Sequence, residues 1–338
     1  MGGRKKFVDI AKGILILFVA YAHSPINNFE YINWFHMPAF LILSGYTFSM
    51  PDTFKDWFKR SAKRLLLPYA SFYMINIILM LIFVVPFTVV RLIKYIGGGV
   101  LSGRVIPGVF WFITTFLLMQ IVFILINKIF KNKKIVFVII IALYIFAHFF
   151  SSMYYTPGVY DPIKPLPMTL WNIDVVPMML FYFSIGYFGK SILEYIFDKI
   201  KFVHVVILAI AAVAFYVIND YTNFNYWLNL KYGRYNHLVL DAVIPCVLTI
   251  LVIGVSIYIQ KYRFSNILMT FGMYTFPIMY LHIPINETLK QFINVGPITF
   301  MIVSIVISYV FIIGIKKNKF MGYFFNGKGN IKELFNKQ

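Results

Sequence analysis

Apolar residues in this chain arrive in repeated blocks of about 18–25 residues, the length that carries a helix across a bilayer. Ten such blocks lie near residues 7–25, 33–50, 63–90, 109–127, 135–152, 172–189, 203–219, 237–259, 266–286 and 296–315. No long Ser/Gly/Pro linker and no convincing internal repeat separates them. The pattern predicts an all-α fold, a polytopic integral membrane helical bundle of about ten transmembrane helices. It reads as one domain over residues 1–338, with a core at about 7–315 and a cytoplasmic C-terminal tail at 316–338. Between the second and third blocks, Pro51–Arg64 sets Phe54, Trp57 and Phe58 against Lys55, Lys59, Arg60 and Lys63. That segregation fits a short amphipathic helix at headgroup level, and equally an ordinary basic loop. Phe276-Pro277 marks a point where the ninth block can break.

Composition narrows the class. Hydrophobic residues make up 60% of the chain and charged residues 13%, with a mean hydropathy of +0.78, which excludes an ordinary soluble enzyme. The one cysteine, Cys246, lies within an apolar block, so no disulfide framework and no thiolate metal site is expected. Richness in Ile, Lys, Asn, Phe and Tyr points to an AT-rich bacterial genome.

The net charge of +19 is a matter of position. With the N-terminus cytoplasmic, 23 of the 31 Lys and Arg residues fall at cytoplasmic ends and loops, and 7 on the opposite side. Lys12 lies inside the first block and completes the set. This is the positive-inside bias, and it predicts a multi-pass protein of the cell membrane with both termini cytoplasmic. The charge then serves topology and contact with membrane lipids, and no nucleic-acid partner is expected. Arg4-Lys5-Lys6 followed by Ala20-Tyr21-Ala22 resembles a cleavable leader, but Lys12 interrupts the apolar run and another block follows at once.

Lys12 and His23 stand out within that first block. Eleven residues at about 100° each return them to nearly the same helix face, about 16 Å apart along the axis. A cation and a titratable base aligned inside a membrane helix mark a path for a polar substrate. Imidazole titrates near neutrality, which makes His23 the best candidate general base. Lys12 has two readings of equal weight, an ion pair with Asp9 three residues earlier, or contact with phosphate groups of a ligand together with Arg4–Lys6.

The topology sorts the other histidines. His36, His148, His237 and His282 join His23 in the outer half with Asp174, Asp241 and Glu30, leaving His204 at the cytoplasmic surface. His36, ahead of Met37-Pro38, either orients His23 and meets substrate or is structural. His23, His36 and His282 offer three imidazoles, but no His-Glu-x-x-His or paired-cysteine spacing supports a metal, and none is expected. Nucleophilic serine chemistry has no Gly-x-Ser-x-Gly to rest on. Three outer loops, Arg91–Gly108, Ser151–Trp171 and Asn219–Asn236, are rich in Tyr, Trp, Asn, Gly and Pro. Their rings suit either sugar stacking or the membrane interface.

A set of ordered motifs then carries a resemblance. Asp9-x-x-Lys12-Gly13 with His23, Phe35-His36-Met37-Pro38, Leu43-Ser44-Gly45-Tyr46, Arg64-Leu65-Leu66-Leu67-Pro68-Tyr69, Trp111-Phe112, Phe183-x-x-Gly186-Tyr187 and Tyr280-Leu281-His282 resemble the acyltransferase-3 family of integral membrane O-acyltransferases. Lys12 stands where many members carry arginine, a replacement it shares with the fucose and exopolysaccharide O-acetylase-like branch; lysine keeps the charge but loses the bidentate fork. The resemblance implies an acyl-CoA donor, acetyl-CoA above all, on the cytoplasmic side. The implied acceptor is a hydroxyl of a surface or lipid-linked carbohydrate. It implies catalytic roles for His23 and His36, donor contacts at Lys12 and Asp9, and substrate contacts at His282, Asp241 and Trp111. For Asp241, capping a helix is the competing role. A transporter or flippase of lipid-linked saccharides is the rival reading, and a structural subunit of a polysaccharide synthase the next.

Overall fold

The computed structural model describes residues 5–25, 30–101, 109–154, 169–222 and 224–329. In chain order the helices are α1 (Lys6–Ala22), α2 (Glu30–Asn33), α3 (His36–Thr47), α4 (Phe54–Leu79), α5 (Val89–Leu101), α6 (Trp111–Ile129), α7 (Lys133–Ser152), α8 (Val176–Phe188), α9 (Lys190–Lys199), α10 (Phe202–Tyr221), α11 (Leu240–Ile259), α12 (Ser265–Met273), α13 (Thr275–Leu289), α14 (Pro297–Lys317) and α15 (Lys319–Asn326). A hairpin with strands of two residues each, β1 (Leu228–Asn229) paired antiparallel with β2 (Arg234–Tyr235), interrupts the helical pattern between α10 and α11.

Each expected apolar block falls on a helix, and the chain is a multi-pass membrane protein. Six helices are long and apolar enough to cross a bilayer: Phe54–Val84, α6, α7, α10, α11 and α14. Two bent pairs also pass when taken together, Leu170–Phe188 with α9 (63°) and α12 with α13 (85°), which gives up to eight among the described residues. The blocks at 7–25 and 33–50 form helices of only 17 and 12 residues. In α3 the reason is local. Pro38 sits in its first turn, and the chain is already extended at Phe48, ahead of Pro51.

One expectation changes and another holds. The amphipathic stretch from Phe54 is neither a separate helix nor a loop; it is continuous with the third span, since no Gly or Pro breaks the run before Pro68. That helix ends in a π turn at Met80–Val84. The ninth block does break, with Tyr274 at φ −129°, ψ 56° between α12 and α13, and Pro277 sits in the first turn of α13, where its missing N–H costs nothing.

Packing centres on α1, buried around most of its circumference at Val8, Ile10, Ala11, Leu15, Ile16, Val19 and Ala20. Between membrane helices apolar burial gives no preference over lipid, so close backbone approach through small residues carries association. A Cβ on Gly13 would lie 2.0 Å from the Leu268 carbonyl oxygen, and one on Gly272 1.7 Å from the Asp9 carbonyl oxygen, so α1 and α12 meet backbone to backbone. Gly45 and Gly186 do the same for α3 and α8, each aimed within 1.9 Å of a carbonyl oxygen (Phe183 and Ile42). The glycines of the three motifs are thus helix-contact positions. By contrast, α10 leaves Val203, Ile207, Ile210, Val213 and Val217 exposed, the surface of a lipid-facing span.

Candidate active site

A cavity of about 730 Å³ runs beside α1. Lys12 and Asp9 from the first half of that helix line it, as does His23 just past its end. Near Lys12 the wall continues with Trp57, Ser61 and Arg64 of α4 and with Asn326. Near His23 it includes Ser24, Asn33, His36, Trp111 and the hairpin residues Asn229–Tyr232. Lys12 and His23, read from the sequence as sharing a helix face, therefore open onto one space, at about 16 Å separation along the axis.

The rings of His23, His36 and His282 are each oriented by their own backbone. The Nδ1 of His23 contacts the Val19 carbonyl at 2.8 Å, that of His36 the Ile32 carbonyl at 2.6 Å, and that of His282 the Ile278 carbonyl at 2.7 Å. A carbonyl can only accept, so Nδ1 carries the proton of the neutral ring and Nε2 keeps the lone pair. That tautomer is the one a general base needs. His282 is fully buried, its ring meets that of His23 edge to face at 5.0 Å, and its Nε2 has no partner among the described residues. Behind it, Asn286 donates to the His282 carbonyl (2.6 Å) and to Ser304 Oγ (3.0 Å), tying α13 to α14.

Trp111 is buried on the cavity wall, at the start of α6. Its carbonyl accepts from Thr115 Oγ1 (2.7 Å) and Asn172 Nδ2 (3.3 Å). Asn172 and Trp171 both adopt left-handed φ (54° and 49°), which is uncommon outside glycine and turns the Asn172 amide toward α6. Sequence reading overlooked Asn172, because a single asparagine at the edge of an apolar block carries no signal of its own.

Asp241 lies apart. It is fully buried at the start of α11, where one carboxylate oxygen accepts from His148 Nε2 (2.9 Å) and from the His237 backbone N–H (3.2 Å). It is not among the residues lining the cavity. The geometry therefore joins Asp9, Lys12, His23, His36 and Trp111 on one surface, seats His282 behind His23, and gives Asp241 a separate buried pair with His148. Arg64, read from the sequence as topology and motif, also lines the cavity. Among the described residues no group of three or more His, Cys, Asp or Glu is placed to hold a metal.

Comparison with known families adds one finding. A family model described as an acyltransferase domain, that of acyltransferase-3, matches residues 5–317. No curated protein and no solved structure matches the chain.

Proposed function

The chain belongs to the acyltransferase-3 family, and on that premise we propose that it is an O-acetyltransferase moving acetyl from cytoplasmic acetyl-CoA to a hydroxyl of an extracytoplasmic or lipid-linked carbohydrate. The observation that carries the proposal is the shared cavity: a cation at Lys12, with Arg64 beside that end, and an Nδ1-protonated imidazole at His23, on one wall. Lys12 and Arg64 are suited to the phosphates of the carrier, leaving the pantetheine arm to run along α1 toward His23. Both termini are assigned to the cytoplasm on the charge bias alone.

In this reading the sugar hydroxyl donates its proton to Nε2 of His23 as its oxygen attacks the thioester carbonyl. The C–O bond forms, the tetrahedral centre collapses with cleavage of the C–S bond, and the imidazolium returns the proton to the departing thiolate. His282, edge-on to His23, is a positioning residue that holds the ring in this orientation. His36 and Trp111 flank the acceptor.

The bent helix pairs are the one feature that favours a transporter of lipid-linked sugar instead. Product mass separates the two, since transfer adds an acetyl group to the glycan and transport leaves its composition unchanged. The test is acetyl transfer by the purified protein in proteoliposomes, with labelled acetyl-CoA and a cell-surface glycan acceptor.

A further inference from the structure

The family match ends at residue 317, yet the cavity wall does not. Immediately beyond, Asn318 accepts from the backbone N–H groups of Phe320 (2.8 Å) and Met321 (3.2 Å), which stops α14 and starts α15. At the far end Gly327 takes a left-handed φ of 62°. Its backbone lies directly on α4, since a Cβ there would sit 2.7 Å from Arg64 Cα and 3.1 Å from the Lys63 carbonyl oxygen.

Five further contacts fix α15 and the residues just after it in place. The Phe325 ring sits against Phe72 at 5.0 Å and Phe311 at 4.9 Å. The Lys63 ammonium lies 4.6 Å over the Tyr323 ring and donates to the Gly329 carbonyl. Lys328 lies 4.9 Å over Tyr274, the residue at which α12 and α13 bend apart. These contacts bring Asn326 to the cavity beside Trp57, Ser61 and Arg64. Its Nδ2 is buried with no hydrogen-bond partner among the described residues. A buried amide N–H in a cavity wall is costly unless something accepts from it.

We propose that α15, outside the acyltransferase domain proper, completes the acyl-carrier end of the cavity, and that Asn326 Nδ2 donates to an acceptor oxygen of the phosphorylated thioester carrier alongside Arg64. The proposal rests on the acyl-transfer reading and adds to it a determinant of carrier affinity contributed by the C-terminal segment. The carrier's phosphate oxygens and its pantetheine carbonyls share this acceptor chemistry, and the isosteric carboxylate distinguishes them. Asn326→Asp removes the amide donor while keeping its shape, and places an anion where a phosphate would bind.

The experiment is calorimetric titration of CoA and of 3′-dephospho-CoA into the full-length protein in nanodiscs, with size-exclusion behaviour recorded for every variant. Asn326→Leu is expected to weaken CoA about tenfold. Asn326→Asp is expected to weaken it further, with the difference shrinking for 3′-dephospho-CoA if the contact is to the 3′-phosphate and persisting if it lies on the pantetheine. A chain ending after Gly329 should bind as the full chain does, and one ending after Asn318 should match or exceed the Asn326→Leu loss. CoA binding within twofold of wild type in both well-folded Asn326 variants overturns the proposal and leaves the acyl-transfer reading intact. Absence of CoA binding by the wild-type protein overturns both.

Discussion

The rings of His23 and His282 meet edge to face with centroids 5.0 Å apart, each anchored through Nδ1 to a carbonyl one helical turn earlier. One histidine follows the central helix and the other lies in the broken ninth span, so the contact joins the two elements that frame the catalytic end. Replacing His282 by Phe keeps a ring of similar shape and deletes the polar edge. The expected outcome is a drop of about tenfold in kcat with KM for both substrates within twofold, read by steady-state acetyl transfer. Unchanged kcat would reduce His282 to a packing residue.

At the opposite end of the cavity, Lys12 is expected to act on carrier binding. Lys12→Met should raise KM for acetyl-CoA about tenfold and leave KM for the acceptor unchanged, while Lys12→Arg should recover most of the loss because the charge remains. A Lys12→Met variant whose defect lies in acceptor KM would assign the lysine to the wrong substrate.

Gly272 allows α12 to lie directly on α1, with 1.7 Å between its missing Cβ and the Asp9 carbonyl oxygen. Gly272→Ala must push the helices apart and is expected to cost about 1–3 kcal/mol, as overpacking does. Gly97 in α5 meets nothing within 4 Å of an added Cβ. Gly97→Ala should therefore be neutral or stabilising by about 0.5–1 kcal/mol. Thermal unfolding in detergent, followed with a thiol-reactive dye on Cys246, compares the two; equal melting temperatures would refute the backbone contact.

Asp241 gives the sharpest separation of structure from chemistry. Its carboxylate is buried against His148 at 2.9 Å and lies outside the cavity lining. Leaving a buried hydrogen-bonding group without its partner typically costs about 1–3 kcal/mol. Asp241→Asn should lower the melting temperature while the surviving folded protein keeps its acceptor KM. The reverse pattern, normal stability with a raised acceptor KM, would restore Asp241 as a substrate ligand.

Much of this arrangement is legible in the order of the residues. The apolar blocks mark the helices, since a helix satisfies its own backbone in hydrocarbon and blocks of this length are too long for barrel strands. The spacing of Lys12 and His23 puts them on one cavity because α1 is one uninterrupted helix that His23 caps, with a fixed period. Pro277 announces the break beside Tyr274. What stayed hidden depends on contacts between distant segments. Nothing local to Asp241 reveals His148, 93 residues away in the chain. Nothing local to Asn326 reveals that Gly327 rests on Arg64. The β1–β2 hairpin, whose tip Lys231-Tyr232 lines the histidine end, is too short for a period-two pattern to register. The glycines of Gly13, Gly45 and Gly186 were visible as motif letters, but their partners across the helix interfaces were not.

The most direct measurement is acetyl transfer across a sealed membrane. Proteoliposomes of oriented protein receive labelled acetyl-CoA on the side of Lys12 and Arg64 and a glycan acceptor on the side of His23. Wild-type protein should label the acceptor only in that arrangement, and His23→Ala at equal incorporation should lose about 10²–10⁴-fold of the rate. Wild-type rates in His23→Ala, or equal labelling with both substrates on the acceptor side, would contradict the account.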